Sequence, residues 1–212
     1  ANESKEVAGG VQSGTILRQG STTDYVPVYT PYYYKIADGI KSFYLNSVYG
    51  NETLAGIKAL VASGKAKAWT PGKSFVGHLD CNGINIYGMY SSNGSGFVYK
   101  LDGPATIKNI NFSACYSKGT GVTAILTTNL GSYANDTTLH YVDNISVRES
   151  RTETTAKVTQ YTDSVGNQHT RAAGGIIATG STAENLTMSN CFYDGYTCEI
   201  VAGNGSLGVG QV

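Results

Sequence analysis

Asn109-Ile110-Asn111-Phe112-Ser113-Ala114-Cys115-Tyr116-Ser117-Lys118-Gly119 has a near copy at Asn185-Leu186-Thr187-Met188-Ser189-Asn190-Cys191-Phe192-Tyr193-Asp194-Gly195. Asn, aliphatic, apolar, Ser, Cys, aromatic and Gly fall at the same places of the eleven-residue phrase. Asn144-Ile145-Ser146-Val147-Arg148-Glu149-Ser150 matches the front half and carries Ser where the others carry Cys. The copies start 35 and 41 residues apart (144 − 109 and 185 − 144). Between them lie short apolar runs: Gly96-Phe97-Val98-Tyr99, Val122-Thr123-Ala124-Ile125-Leu126 and Gly174-Gly175-Ile176-Ile177-Ala178. Two strand-bearing segments per repeat mean a layer of about 20 residues, the period of a β-solenoid. Alternation of side chains along a strand then points Ile110, Ile145 and Leu186 inward, followed by Phe112, Val147 and Met188. Asn109, Asn144 and Asn185 form a corner ladder, each buried and bonded to turn backbone. Cys115, Ser150 and Cys191 share one small buried slot. Layers stack about 4.8 Å apart, which leaves Cys115 and Cys191 too distant for a disulfide, whose Cα atoms lie about 4.4–6.8 Å apart. Both thiols read as small apolar fillers.

Composition points the same way. The chain has 212 residues, with 27 Gly and 16 Tyr but only 14% charged residues, against roughly 25% in ordinary soluble domains. That mixture favours strands and turns over Glu/Lys-rich helices. Fifteen basic and fifteen acidic residues cancel, so the cationic excess that nucleic acid or an anionic membrane surface demands is missing. No apolar run of about 18 residues is present, so no membrane span is expected. The stretch Ala1-Asn2-Glu3-Ser4-Lys5-Glu6 has no signal-peptide core, so a secretion signal would lie upstream or have been removed. Four cysteines, Cys81, Cys115, Cys191 and Cys198, are too few for a disulfide scaffold, and without a CxxC they suggest neither zinc nor redox chemistry. Whether Cys198 is paired stays open.

Length suggests one structural domain. Residues 1–24 read as an irregular lead-in. Residues 25–74 read as short strands and a helix, and residues 75–212 as the β-solenoid, with an elaborated loop around 128–172. The helix covers 51–63: Leu54, Ile57, Leu60 and Val61 make one apolar face, Asn51 is the expected N-cap and Gly64 the stop. Stacked strands leave a raw edge at each end, and this helix is the natural cap of the N-terminal one. From Asp80 to Ala202 there is room for about six layers.

Phe75-Val76-Gly77-His78-Leu79-Asp80-Cys81-Asn82-Gly83-Ile84-Asn85-Ile86-Tyr87-Gly88-Met89-Tyr90 resembles the opening of GLUG-type right-handed parallel β-helix modules, where F-x-G-x-x-D-G-N-G-x-x-I-x-G is followed by Gly-rich and T-I-x-N segments. Thr106-Ile107-Lys108-Asn109 and Gly174-Gly175-Ile176-Ile177 are similar to those two segments. The resemblance covers about 75–202. Cys81 stands where the family has Gly, and 128–172 is longer and more polar. It implies a right-handed parallel β-helix from a large secreted or cell-surface bacterial protein.

Chemistry is sparse. The acids Asp80, Asp102, Asp136, Asp143, Asp163 and Asp194 are dispersed, with no DD or DxD, so neither calcium nor a glycosidase pair is indicated. Arg148, Glu149, Arg151 and Glu153 cluster as solvated ion pairs. His78, His140 and His169 show no metal-ligand spacing, and no GxxxxGK exists for phosphate. No cofactor or metal is expected. Eight N-x-S/T sequons, Asn144 and Asn185 among them, read as incidental to a chain rich in these residues. Tyr90, Tyr116, Tyr193 and Tyr196 lie at strand ends or turns, where exposed rings can stack on sugars. The expected function is a non-catalytic extracellular module: a stalk, spacer or interaction platform within a larger adhesin or polysaccharide-handling protein. Its partners would be a polysaccharide, another surface protein or flanking domains of its own chain. The alternatives are a carbohydrate-binding module using those tyrosines, and a polysaccharide lyase or glycoside hydrolase.

Overall fold

A computed structural model describes residues 15–18, 25–28, 33–72, 75–130, 140–156, 159–162, 168–171, 173–178 and 186–203. In chain order the elements are β1 Thr15–Arg18, β2 Tyr25–Val28, β3 Tyr33–Lys35, β4 Ser42–Tyr44, α1 Leu54–Ala62, β5 Phe75–Tyr87, β6 Tyr90–Ser91, β7 Leu101–Ser113 and β8 Tyr116–Gly119. There follow β9 His140–Arg148, β10 Arg151–Thr154, β11 Thr159–Thr162, β12 Gln168–Arg171, β13 Leu186–Ser189, β14 Phe192–Tyr193 and β15 Glu199–Val201. The fold is all-β apart from α1, and its two principal sheets are parallel. The large sheet runs β13-β9-β7-β5-β3, with β14 beside β9 and β4 beside β5; the smaller runs β15-β10-β8-β6. β1–β2 and β11–β12 are antiparallel hairpins. The expected irregular lead-in at 1–24 therefore holds a strand, and the elaborated stretch 128–172 holds the second hairpin.

Three successive passes, β5/β6, β7/β8 and β9/β10, each contribute first to the large sheet, then to the small one, then to a third side without long strands. On that side Ala124 N donates to Gly94 O, Phe97 N to Ile125 O and Leu126 N to Ile176 O. Thr123 and Thr127 bridge in parallel to Ala173 and Ile177. These are the small apolar runs of the sequence, and their size lets the backbones approach: a side chain on Gly96 would collide with the carbonyl oxygens of Ala124 and Ile125. Ile84, Ile86, Ile107, Ile110, Phe112, Leu126, Val142, Ile145 and Val147 are all at most 3% exposed and fill the space between the three sides.

The spacing of about 20 residues per layer is corrected by the register. One bend of the chain recurs at Asn82, Asn109, Asn144 and Asn190, all with φ between 52° and 60°. Successive bends are therefore 27, 35 and 46 residues apart, so a whole repeat makes one pass. Among the described residues five passes build the large sheet (β3/β4, β5, β7, β9 and β13/β14), and four of them fall within Asp80–Ala202, where six layers are expected.

The third copy of the repeat also shifts. Ile110 pairs with Ile145 and Phe112 with Val147, as expected. Leu186, however, lies beside His140, and Met188 beside Val142. The left-handed bend interrupts strict alternation, so each strand buries apolar residues in two similar halves, one before the Asn and one after. Asn185-Leu186-Thr187-Met188 resembles the second half and occupies the first. Asn190 takes the ladder position assigned to Asn185, which lies outside the described residues. Cys198, next to Glu199, falls level with Ser150 and Cys115 through the pairings of β15, β10 and β8, and it replaces Cys191 in that slot. Cys191 lies level with Ile145. All four cysteines are free.

Helix α1 does not cap the N-terminal edge. It lies along the outside of the small sheet, packing Leu54, Ile57, Leu60 and Val61 against Val48, Tyr90, Ala114 and Tyr116. Lys58 Nζ reaches Glu199 at 3.0 Å, and Leu54 N donates to Glu149 Oε2 at 2.9 Å. The outward tyrosines of the small sheet supply the apolar surface that the helix stripe covers. Thr53 is the N-cap, its Oγ1 accepting from Gly56 N at 3.0 Å, while Asn51 only accepts from the Thr53 hydroxyl. Gly64, at φ 70°, ends the helix as expected.

Candidate functional site

The large sheet turns a set of polar columns outward. Residues that flank a buried aliphatic in each strand come level with their equivalents one pass away, about 4.8 Å along the stack. Tyr33, His78, Thr106 and Tyr141 form one column, and Lys35, Asp80, Lys108 and Asp143 the next. Tyr33 stacks on His78 with ring centroids 4.5 Å apart, and His78 Nδ1 lies 2.8 Å from Thr106 Oγ1. Lys108 Nζ is 3.5 Å from Asp80. Asp80 Oδ1 accepts from Asn82 N at 2.9 Å and from Asn109 Nδ2 at 2.8 Å. These residues wall a groove of about 330 Å³, at the small end of ligand sites, roughly 300–1,000 Å³.

Electrostatics in the groove follow from these contacts. Burial opposes ionisation of Asp80, but Asn109, the Asn82 amide and Lys108 outweigh it and hold the carboxyl below its ordinary pKa. Partial burial, with help from Lys108, lowers the pKa of His78, which favours its neutral form at pH 7. Asp143 is also lowered, by hydrogen bonds from Ser189 and Asn190.

Asn109 and Asn144 do form a ladder, but not the buried one expected. Asn144 is exposed and Asn109 half-buried. Asn144 Nδ2 donates to Asn109 Oδ1 at 2.9 Å, and Asn190 Nδ2 to Asp143 Oδ1 at 2.8 Å. The side chains bond one another along the outer surface because the left-handed backbone turns them away from the core. At the far margin of the same face Tyr44 stacks on Tyr87 at 4.8 Å and tilts against Tyr49 at 5.4 Å. Its hydroxyl donates to Glu52 at 2.8 Å, which, with burial, pushes the phenol up to about 12.

The four tyrosines singled out from sequence are not brought together as a sugar platform. Tyr116 is 6% exposed and lies beneath α1; burial and its hydrogen bond to Glu153 raise its pKa to about 12. Tyr90 is half-buried, edge-on to Tyr116 at 6.0 Å. Tyr193 is half-buried and packs over Gly175 so closely that any side chain there would strike its ring. Tyr196 alone stands in solvent, in the turn Asp194–Thr197 near the start of α1. The exposed aromatics of the large-sheet side are instead Tyr33, Tyr44, Tyr49, Tyr141 and Phe192. For Tyr33 and Tyr141 the signal was present in the sequence as a recurring triplet, polar or aromatic, apolar, then charged: Tyr33-Tyr34-Lys35, His78-Leu79-Asp80, Thr106-Ile107-Lys108, Tyr141-Val142-Asp143.

The Arg/Glu cluster at Arg148–Glu153, expected as solvated ion pairs, instead sets Arg151 and Glu153 in a half-buried ion lock beside α1. Arg151 bonds Glu153 through Nε and Nη2, at 3.0 and 2.8 Å, and Glu199 through Nη1. Lys118 and Lys58 complete the network. Burial works against both carboxylates, yet the hydroxyl of Tyr116 and the guanidinium lower Glu153, and Lys58 and Arg151 lower Glu199. Neither carboxyl is held protonated, as a general acid requires. Asp136 and Asp163 lie outside the described residues. Among the described residues no group of three or more His, Cys, Asp or Glu could hold a metal, and no helix is long and apolar enough to cross a membrane. No family model, curated protein or solved structure matches the chain.

Proposed function

We propose that this chain is a right-handed parallel β-helix module of the GLUG type and serves as a non-catalytic interaction platform within a larger secreted or cell-surface bacterial protein. The observation that supports this reading is the repeated register: five parallel passes carry matched side chains to one broad face, and hydrogen bonds tie those side chains across the passes. A surface built this way is rigid and repetitive, which suits lateral contact with an extended partner. The conspicuous carboxylates serve as partners for Arg151 and lie against α1, where they brace the helix. The test is incubation with pectin, xylan and host glycans, with released oligosaccharide measured. No release is expected; release abolished by Glu153→Gln or Glu199→Gln would overturn the reading.

The carbohydrate-binding alternative draws its support from one observation. Tyr33, Tyr44, Tyr141 and Phe192 expose 39–50% of their surface on the large sheet, among Asn, Asp, Ser and Lys side chains that bond hydroxyls.

A further inference from the structure

We infer that the groove walled by Tyr33, Lys35, His78, Asp80, Thr106 and Lys108 binds a stretch of neutral, pyranose-based polysaccharide. The inference rests on the platform reading above and names its partner. Charge balance selects the ligand class. Along the stack the column reads Lys35, Asp80, Lys108, Asp143, cation and anion in alternation. Lys35 is further neutralised by Asp38 at 2.9 Å. A polyanion laid over this column would meet Asp80 and Asp143, and a polycation would meet Lys35 and Lys108, so neither is favoured along its length. A neutral polyol finds donors and acceptors alternating at about 4.8 Å, and each can bond a hydroxyl without an unpaired charge being buried.

The neighbouring column supplies the other half of sugar recognition. Tyr33 is 50% exposed and its ring lies nearly parallel to that of His78, 18° between planes. His78 covers one face of the Tyr33 ring, and the other face offers apolar surface to the C–H face of a pyranose. His78 is fixed by its contact to Thr106, so little side-chain entropy is lost on binding. The register carries this column on from Thr106 to the exposed Tyr141 of the next pass, in the direction an extended chain would follow.

The experiment is affinity gel electrophoresis of the full chain in gels containing mixed-linkage glucan, xyloglucan or galactomannan, against polygalacturonate and chitosan. Retardation is expected in at least one neutral gel and not in the charged ones. Tyr33→Ala and Lys108→Met should each weaken it at least tenfold, while Tyr196→Ala, on the other side of the molecule, leaves it unchanged. Thermal melting by circular dichroism establishes that each variant is folded, and Thr106→Val replaces any that is not. Retardation only in charged gels, none in any gel, or neutral-gel retardation that survives both groove substitutions would overturn the inference and leave the platform reading standing. Hydrolysis of a gel polymer would sink both.

Discussion

A left-handed backbone at a non-glycine residue costs about 1–2 kcal/mol, and Asn82, Asn109, Asn144 and Asn190 all adopt one. Asn tolerates the conformation better than other side chains because its amide bonds locally. Asn144→Gly should therefore change stability little. Asn144→Val, β-branched at the same φ of 53°, should lose about 1–2 kcal/mol in urea denaturation, more than loss of the exposed bond to Asn109 could explain. Equal losses for the two variants would show that backbone strain is not what selects Asn here. Cysteine chemistry reads the register at the same scale. Cys81 and Cys115 are buried, and burial pushes both thiols up to about 12. Cys191 and Cys198 are half-buried. Maleimide labelling of the native chain should modify Cys191 or Cys198 first and reach Cys81 and Cys115 only on unfolding.

Helix α1 is short, so its stability comes from the sheet it covers rather than from its own propensity. Ile57 is fully buried against that sheet, and Ile57→Ala should cost about 2–5 kcal/mol, against about 1 kcal/mol for removing the Thr53 cap. Denaturant midpoints will rank the two. The ion lock adds a pH dependence. Glu153 and Glu199 both have folded pKa values below the ordinary 4.5. Below 4.5 the unfolded chain takes up protons that the folded chain refuses, so this stabilisation is full above that pH and is lost as pH falls through the depressed values. Arg151→Met should lower stability at pH 7 and flatten the decline on acidification, leaving the slope owed to Asp80 and Asp143. An unchanged acid limb in that variant would remove the lock as its cause.

Across the whole molecule the large sheet has a middle and two edges. β7 is hydrogen-bonded to β5 on one side and β9 on the other, whereas β3 and β13 have one neighbour each in the sheet order. Native-state hydrogen exchange should find the slowest amides in β7 and its immediate partners and the fastest in β3 and β13. Uniform protection across all five passes would mean that the stack opens only as a unit.

Repetition of N-φ-x-φ in the sequence was enough to establish strands stacked in parallel, because a period-two apolar pattern that recurs with Gly-rich runs between has few other ways to be buried. The amphipathic stripe of α1 was equally legible, since four apolar side chains at helical spacing need only local geometry. What sequence could not decide was which half of a strand each phrase occupied. The two halves around the Asn bend bury the same kinds of residue, so Asn185 and Asn190, or Cys191 and Cys198, are interchangeable until a hydrogen-bonded neighbour chooses between them. Likewise no local feature says whether a helix stripe covers a sheet edge or its outer surface. That depended on Tyr90 and Tyr116, two strands of one sheet that meet only after the chain has completed a pass. Nor could it place Tyr33, His78, Asp80, Thr106 and Lys108 in one groove: they lie up to 75 residues apart, and only pairing of β3, β5 and β7 brings them level.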